Sequence, residues 1–271
     1  MRKGRVIALF ISVALVLGLT LPAVAAGPPD NPGNGPSGLT KIVFIHYPKG
    51  AEAKGGIPGK PEGGDTEAAK ADKEWYRYRD VCWPSPANVD YVIKDCDDTF
   101  EAAIKAAFQT WEDTGASIDF EGTIVGILEF GVPSSFVPTS GYSGGTPNGV
   151  NEIGWMSFED YDLPSYAIAV TAVWIDLDNY IVEADMAMND DLAWAQDDTV
   201  ADPDNEIADT ANAYDVQNIA IHEAGHFLML EDMYGKPTAE QTMYGRGSLG
   251  ELKKRSLESG DIAGILEIYG P

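Results

Sequence analysis

His222-Glu223-Ala224-Gly225-His226 places two of the chain's only three histidines four residues apart, and this pentad decides how everything around it is read. In a helix, 3.6 residues per turn bring positions i and i+4 onto one face, so both imidazoles reach a single metal ion. Zinc takes imidazole nitrogen at about 2.0–2.1 Å and, in catalytic sites, three protein ligands with one position left for water. Glu223, next to the first histidine, stands where a general base would serve that water. Ile219, Ala220, Ile221, Phe227, Leu228 and Leu230 flank the pentad, so its polar groups are expected to be desolvated and in need of a partner, which a metal supplies. Ordinary core or surface histidines on an amphipathic helix are the alternative, and the scarcity of histidine in this chain argues against it.

The third ligand is narrowed by counting. The remaining histidine, His46, lies in a Gly/Pro-rich N-terminal stretch, so a three-histidine site is not expected. Asp232 follows His226 by six residues, where the chain can leave the helix and fold back to offer a carboxylate at about 2.0–2.2 Å. Its neighbour Glu231 is a rival. Glu251 or Glu258 would serve a site that recruits a later helix, but neither falls at a persuasive spacing.

These residues resemble the metzincins, and within them the matrixin-like metalloproteases, whose signature is His-Glu-x-x-His-x-x-Gly-x-x-His or Asp followed by a tight turn carrying methionine. His222, Glu223, His226 and Asp232 fall on the marked positions, and Thr242-Met243-Tyr244-Gly245 is similar to the methionine turn. Further blocks at 100–111, 183–189 and 256–270 extend the resemblance over residues 83–270. It implies an α+β zincin-like domain with a twisted, mostly parallel mixed sheet, two long helices and a C-terminal helix. It also implies zinc held by His222, His226 and Asp232, Glu223 as general base, Met243 beneath the metal, and hydrolysis of peptide bonds in proteins. Residues 167–175 would form an edge strand on which a peptide lies as an added strand, with a merely buried strand as the alternative. Two departures are plain: Met229 stands where the family has glycine at a turn needing φ above zero, and the last ligand is aspartate rather than the commoner histidine. A catalytically inactive relative that binds metal or peptide is the alternative, disfavoured by the intact Glu223; a structural or adhesive surface protein with a coincidental pentad is a third.

Outside the site, Arg2, Lys3 and Arg5 precede an apolar run over 6–21 and Ala23-Val24-Ala25, the pattern of a secretory signal over residues 1–26. The protein is therefore expected outside the cell and, once cleaved, off the membrane. Residues 27–80 are rich in Gly, Pro, Lys and Glu, with one apolar patch at Ile42-Val43-Phe44-Ile45. They read as a linker, a packed N-terminal arm or a propeptide, ahead of a catalytic domain over 81–271. No Pro-Arg-Cys-Gly stretch is present to cap a metal by thiolate. Cys82 and Cys96 flank the first strand, and in an exported chain such a pair is expected to form a structural disulfide.

Asp98-Thr99-Phe100-Glu101 reads as a capping box opening a helix whose Phe100, Ala103, Ile104, Ala107, Phe108 and Trp111 recur at helical spacing. Asp215 is placed to cap the pentad helix over 216–230, and a last helix ends at Gly270. Short extended runs are expected at 89–93, 118–120, 152–158, 167–177 and 181–188. Between 190 and 215 stand eight aspartates and Glu206. Such oxygen-rich segments can hold calcium, which the resemblance also implies, and a solvated acidic surface is the equal alternative. A formal charge of −25 and a pI near 4.2 argue against nucleic acid or anionic membranes as partners. The expected partner is a protein or peptide substrate, met by a monomer.

Overall fold

The computed structural model describes residues 38–51, 75–94, 96, 98–125, 132–137, 145–161, 163–196 and 212–271. Among them, in chain order, are strands β1 (Thr40–Pro48) and β2 (Ala87–Lys94), helix α1 (Asp98–Glu112), and strands β3 (Ile118–Val125), β4 (Asn151–Met156), β5 (Ala169–Ile175) and β6 (Ile181–Asn189). The short strands β7 (Trp194–Ala195) and β8 (Tyr214–Asp215) lead into α2 (Val216–Phe227), which is followed by β9 (Arg246–Gly247) and α3 (Ser259–Tyr269). These residues all belong to one unit spanning Asn31–Pro271. The signal reading over 1–26, the segment 52–74 and most of the acidic stretch read for calcium lie outside the described residues.

Seven strands make one sheet in the order β3-β2-β4-β6-β5-β1-β9. The pairs β2/β3, β2/β4, β4/β6 and β1/β9 are parallel, while β5 runs antiparallel to both β6 and β1. The sheet is thus mixed and mostly parallel, with helices packed on it. Every residue of β5 is buried, the pattern of a strand covered on both faces. Alternation sorts its side chains: Ala169, Thr171 and Val173 face the side of α2, whereas Val170 and Ala172 face a second cluster with Phe136, Met156 and Phe158. Helix α1 presents Ala103, Ile104, Ala107, Phe108 and Trp111 to the first of these cores, as its spacing predicts. No helix among the described residues is long and apolar enough to cross a membrane.

Two expectations change. The strand read as an edge, β5, is not one, because β1 pairs with it from Thr40↔Ile175 to His46↔Ala169. The apolar patch in the N-terminal segment has the alternation of a strand: Ile42 and Phe44 join the helix-side core, and Ile45 and Tyr47 the opposite one. Cys82 and Cys96 do not form a disulfide with each other. They lie before and after β2, and an eight-residue strand rising about 3.3 Å per residue separates them far beyond the ~7 Å that a disulfide tolerates between Cα atoms.

Candidate metal centre

Helix α2 carries the pentad, and its ends explain why it sits as it does. Asp215 caps the N-terminus, its carboxylate accepting from Asn218 N at 2.8 Å. At the other end Leu230 N donates to Gly225 O and Met229 N to His226 O, each at 3.0 Å, which is the Schellman pattern. Met229 occupies its left-handed position at φ 65°, the place where glycine was expected, so the methionine accepts the turn at a cost of about 1–2 kcal/mol. That cost is offset by burying the side chain in the core. The turn sends Asp232 back toward the helix.

His222, Glu223 and His226 are wholly buried. His222 Nδ1 meets Thr242 O and His226 Nδ1 meets Leu230 O, both at 2.7 Å. A carbonyl can only accept, so each ring carries a proton on Nδ1 and turns Nε2 inward. Asp232 Oδ1 lies 3.2 Å from His222 Nε2 and 3.6 Å from His226 Nε2. These three polar atoms face one another, none with a hydrogen-bond partner, and the Asp232 carboxylate draws His226 up against its burial. Such a cluster can hold a metal ion at its centre. Ligands about 2.0–2.1 Å from a tetrahedral ion stand about 3.3 Å apart, so these separations suit zinc. Burial and the nearby Lys254 ammonium push His222 down to about 3, which favours the neutral, ligating ring.

The supporting contacts are built into the fold. Tyr234 Oη donates to Asp232 Oδ2 at 2.9 Å, fixing the carboxylate. Glu231 points away and pairs with Arg79 at 2.7 Å, while Glu258 caps α3. Met243 packs under α2, and a Cβ at Gly225 would collide with Met243 Sδ, so glycine is required there. The turn bearing Met243 is held from α3: Asp261 accepts from Thr242 N at 2.8 Å and Met243 N at 3.1 Å.

Glu223 stands beside this trio. Its Oε2 accepts from Thr171 Oγ1 at 2.6 Å, and burial pushes its carboxyl up to about 7. Its Oε1 faces His46 Nδ1 at 3.3 Å. Four neighbours were missed from the sequence, Thr171 being the first. Phe44 of β1 stacks on His226 with ring centroids 4.1 Å apart, and the His46 ring lies 3.9 Å from that of His222. Lys254 Nζ approaches His46 Nε2 at 3.2 Å and donates to Tyr244 O. His46 alone left a signal, a lone histidine at the end of an apolar, strand-like run; Thr171 and Lys254 left none.

No protein family model matches this chain, and no curated protein does. Among solved structures, one of myroilysin aligns at 13% identity with a TM-score of 0.36, covering 72% of this chain and 98% of that one. A likeness this loose carries no argument about the site.

Proposed function

We propose that the protein is a zinc-dependent endopeptidase that acts on extended peptide segments of proteins as a secreted monomer, with residues 1–26 directing export. The observation that carries this reading is the convergence of His222 Nε2, His226 Nε2 and Asp232 Oδ1, three buried polar atoms without a hydrogen-bond partner, next to the buried carboxyl of Glu223. Zinc held by those three residues would supply a Lewis acid able to polarise the scissile carbonyl and lower the pKa of water toward about 7. Glu223 then takes a proton from the attacking water as its oxygen bonds to the carbonyl carbon, and returns that proton to the amide nitrogen as the C–N bond breaks. A carboxyl held near 7 suits both halves of the transfer. Thr171 keeps one carboxylate oxygen fixed and leaves the other to work.

The test has two parts. Equilibrium dialysis should give one zinc per chain, lost in His222→Ala and kept in Glu223→Ala. Casein hydrolysis by the zinc-loaded chain, with its groove open as described below, should fall ~10³-fold in Glu223→Ala. The contact of His46 with Glu223 favours a second reading, a relative that binds metal or peptide without cutting. Full zinc occupancy and an open groove without turnover would establish that instead. Calcium in the acidic stretch 190–215 is a further proposal, checked by whether calcium raises Tm.

A further inference from the structure

Strand β1 lies where a substrate would have to lie. An extended peptide reaching the metal centre must add to the edge of β5, because that edge passes Thr171 and hence Glu223. β1 already uses that edge: His46 O accepts from Ile168 N at 2.8 Å, and by strand alternation Ile42 and Phe44 direct their amides at β5 as well. On its other side β1 runs parallel to β9, with Lys49 N donating to Gly247 O at 2.8 Å. The strand thus fills a slot between β5 and β9, crossing over the ligands.

The side chains that β1 turns inward are the telling part. Phe44 covers His226, and His46 covers His222 while aiming Nδ1 at Glu223 Oε1. Lys254 donates to His46 Nε2, which leaves the ring proton on Nδ1, facing the one Glu223 oxygen that Thr171 does not hold. The two atoms stand 3.3 Å apart, fully buried, and neither makes a hydrogen bond to any group. A strand present only to complete the sheet would gain nothing by burying an imidazole against that carboxylate.

Resting on the peptidase reading, we propose that β1 is a built-in competitor of substrate, which occupies the peptide groove with its own backbone and engages the general base through His46, so that the chain as folded here is latent. Tethering makes this effective even for a weak strand, since a linked segment acts at an effective concentration on the order of mM. The contacts also indicate what the groove accepts: an extended peptide with an aromatic side chain over His226, as Phe44 supplies.

The experiment compares three full-length, zinc-loaded chains: wild type, Ile42→Pro/Phe44→Pro, and His46→Ala. The double variant removes two amide donors from the β1/β5 ladder. Three quantities are read: zinc stoichiometry, hydrogen exchange of amides 169–175, and casein cleavage. The expected result is faster exchange confined to β5 and its neighbours, one zinc retained, and cleavage at least 10-fold faster than wild type, reversed by a synthetic peptide of sequence 40–48. If wild type cuts as fast as the open double variant, β1 is not an inhibitor and the proposal falls while the peptidase reading stands. If the open, zinc-loaded variant cuts nothing, the peptidase reading itself falls. Should exchange rise everywhere, marking global unfolding, His46→Ala decides, because it leaves the ladder intact. It should cleave several-fold faster than wild type, and no gain overturns the proposal.

Discussion

Asp261 should control zinc affinity from a distance, because it holds the turn that orients His222. Its carboxylate, almost fully buried, accepts from Thr242 N, Met243 N and Glu258 N at 2.8, 3.1 and 3.0 Å. Oδ2 takes Thr242 and Glu258, and Oδ1 takes Met243. In Asp261→Asn the single amide oxygen can replace Oδ2, leaving Met243 N facing an NH2 group. One charge-assisted bond is lost with its donor left unsatisfied, about 2–3 kcal/mol of stability. In Asp261→Ala all three donors are orphaned, and about 3–6 kcal/mol is expected. Because Thr242 O fixes the tautomer of His222, a loosened turn should also lower zinc affinity by about 10–100-fold. Urea denaturation gives the first quantity and zinc competition with a chromophoric chelator the second. Glu258→Gln is the control, since it weakens the same α3 cap, at about 1 kcal/mol, without touching the turn. Should Asp261→Asn weaken zinc binding no more than Glu258→Gln, the turn does not position the ligand and the reasoning fails.

Other outcomes follow from the same contacts. Asp232→Ala should lower zinc affinity at least ~100-fold while Glu231→Gln leaves it unchanged, because Glu231 is engaged by Arg79; isothermal titration with zinc separates them. Gly225→Ala forces a methyl into Met243 and Trp111 and should destabilise by about 1–3 kcal/mol, read from the urea midpoint. Burial, aided by Glu183, pushes Asp185 from 3.8 up to about 7. The native state then binds more protons than the unfolded chain between those values, so stability contributed by this group falls as pH rises through that window, by at most about 4 kcal/mol. Urea midpoints of chelated protein at pH 4.5 and 7.5 should converge in Asp185→Asn, and an unchanged slope would remove Asp185 as the cause.

The parts of this protein that the chain dictates by itself are those decided within a few residues. The i, i+4 histidines, the Asp215 cap, the apolar stripe of α1 and the return of Asp232 six residues past His226 depend on helix geometry and on local hydrogen bonds, and the structure places them as their spacing requires. At Met229 the family resemblance implied either a strained residue with φ above zero or a differently shaped turn, and the residue takes φ 65°. What only the tertiary structure decided is which distant segments meet those residues. β1 took the open edge of β5 because unpaired strand amides there require partners, a requirement no local pattern in 40–48 reveals. His46 and Lys254, 208 residues apart, came together over Glu223 through that pairing, and Cys82 and Cys96 were held apart by the length of β2. Local sequence brings His222, His226 and Asp232 together because helical geometry repeats within one turn; strand pairing joins residues of any separation, so the cover over that cluster was set by the fold.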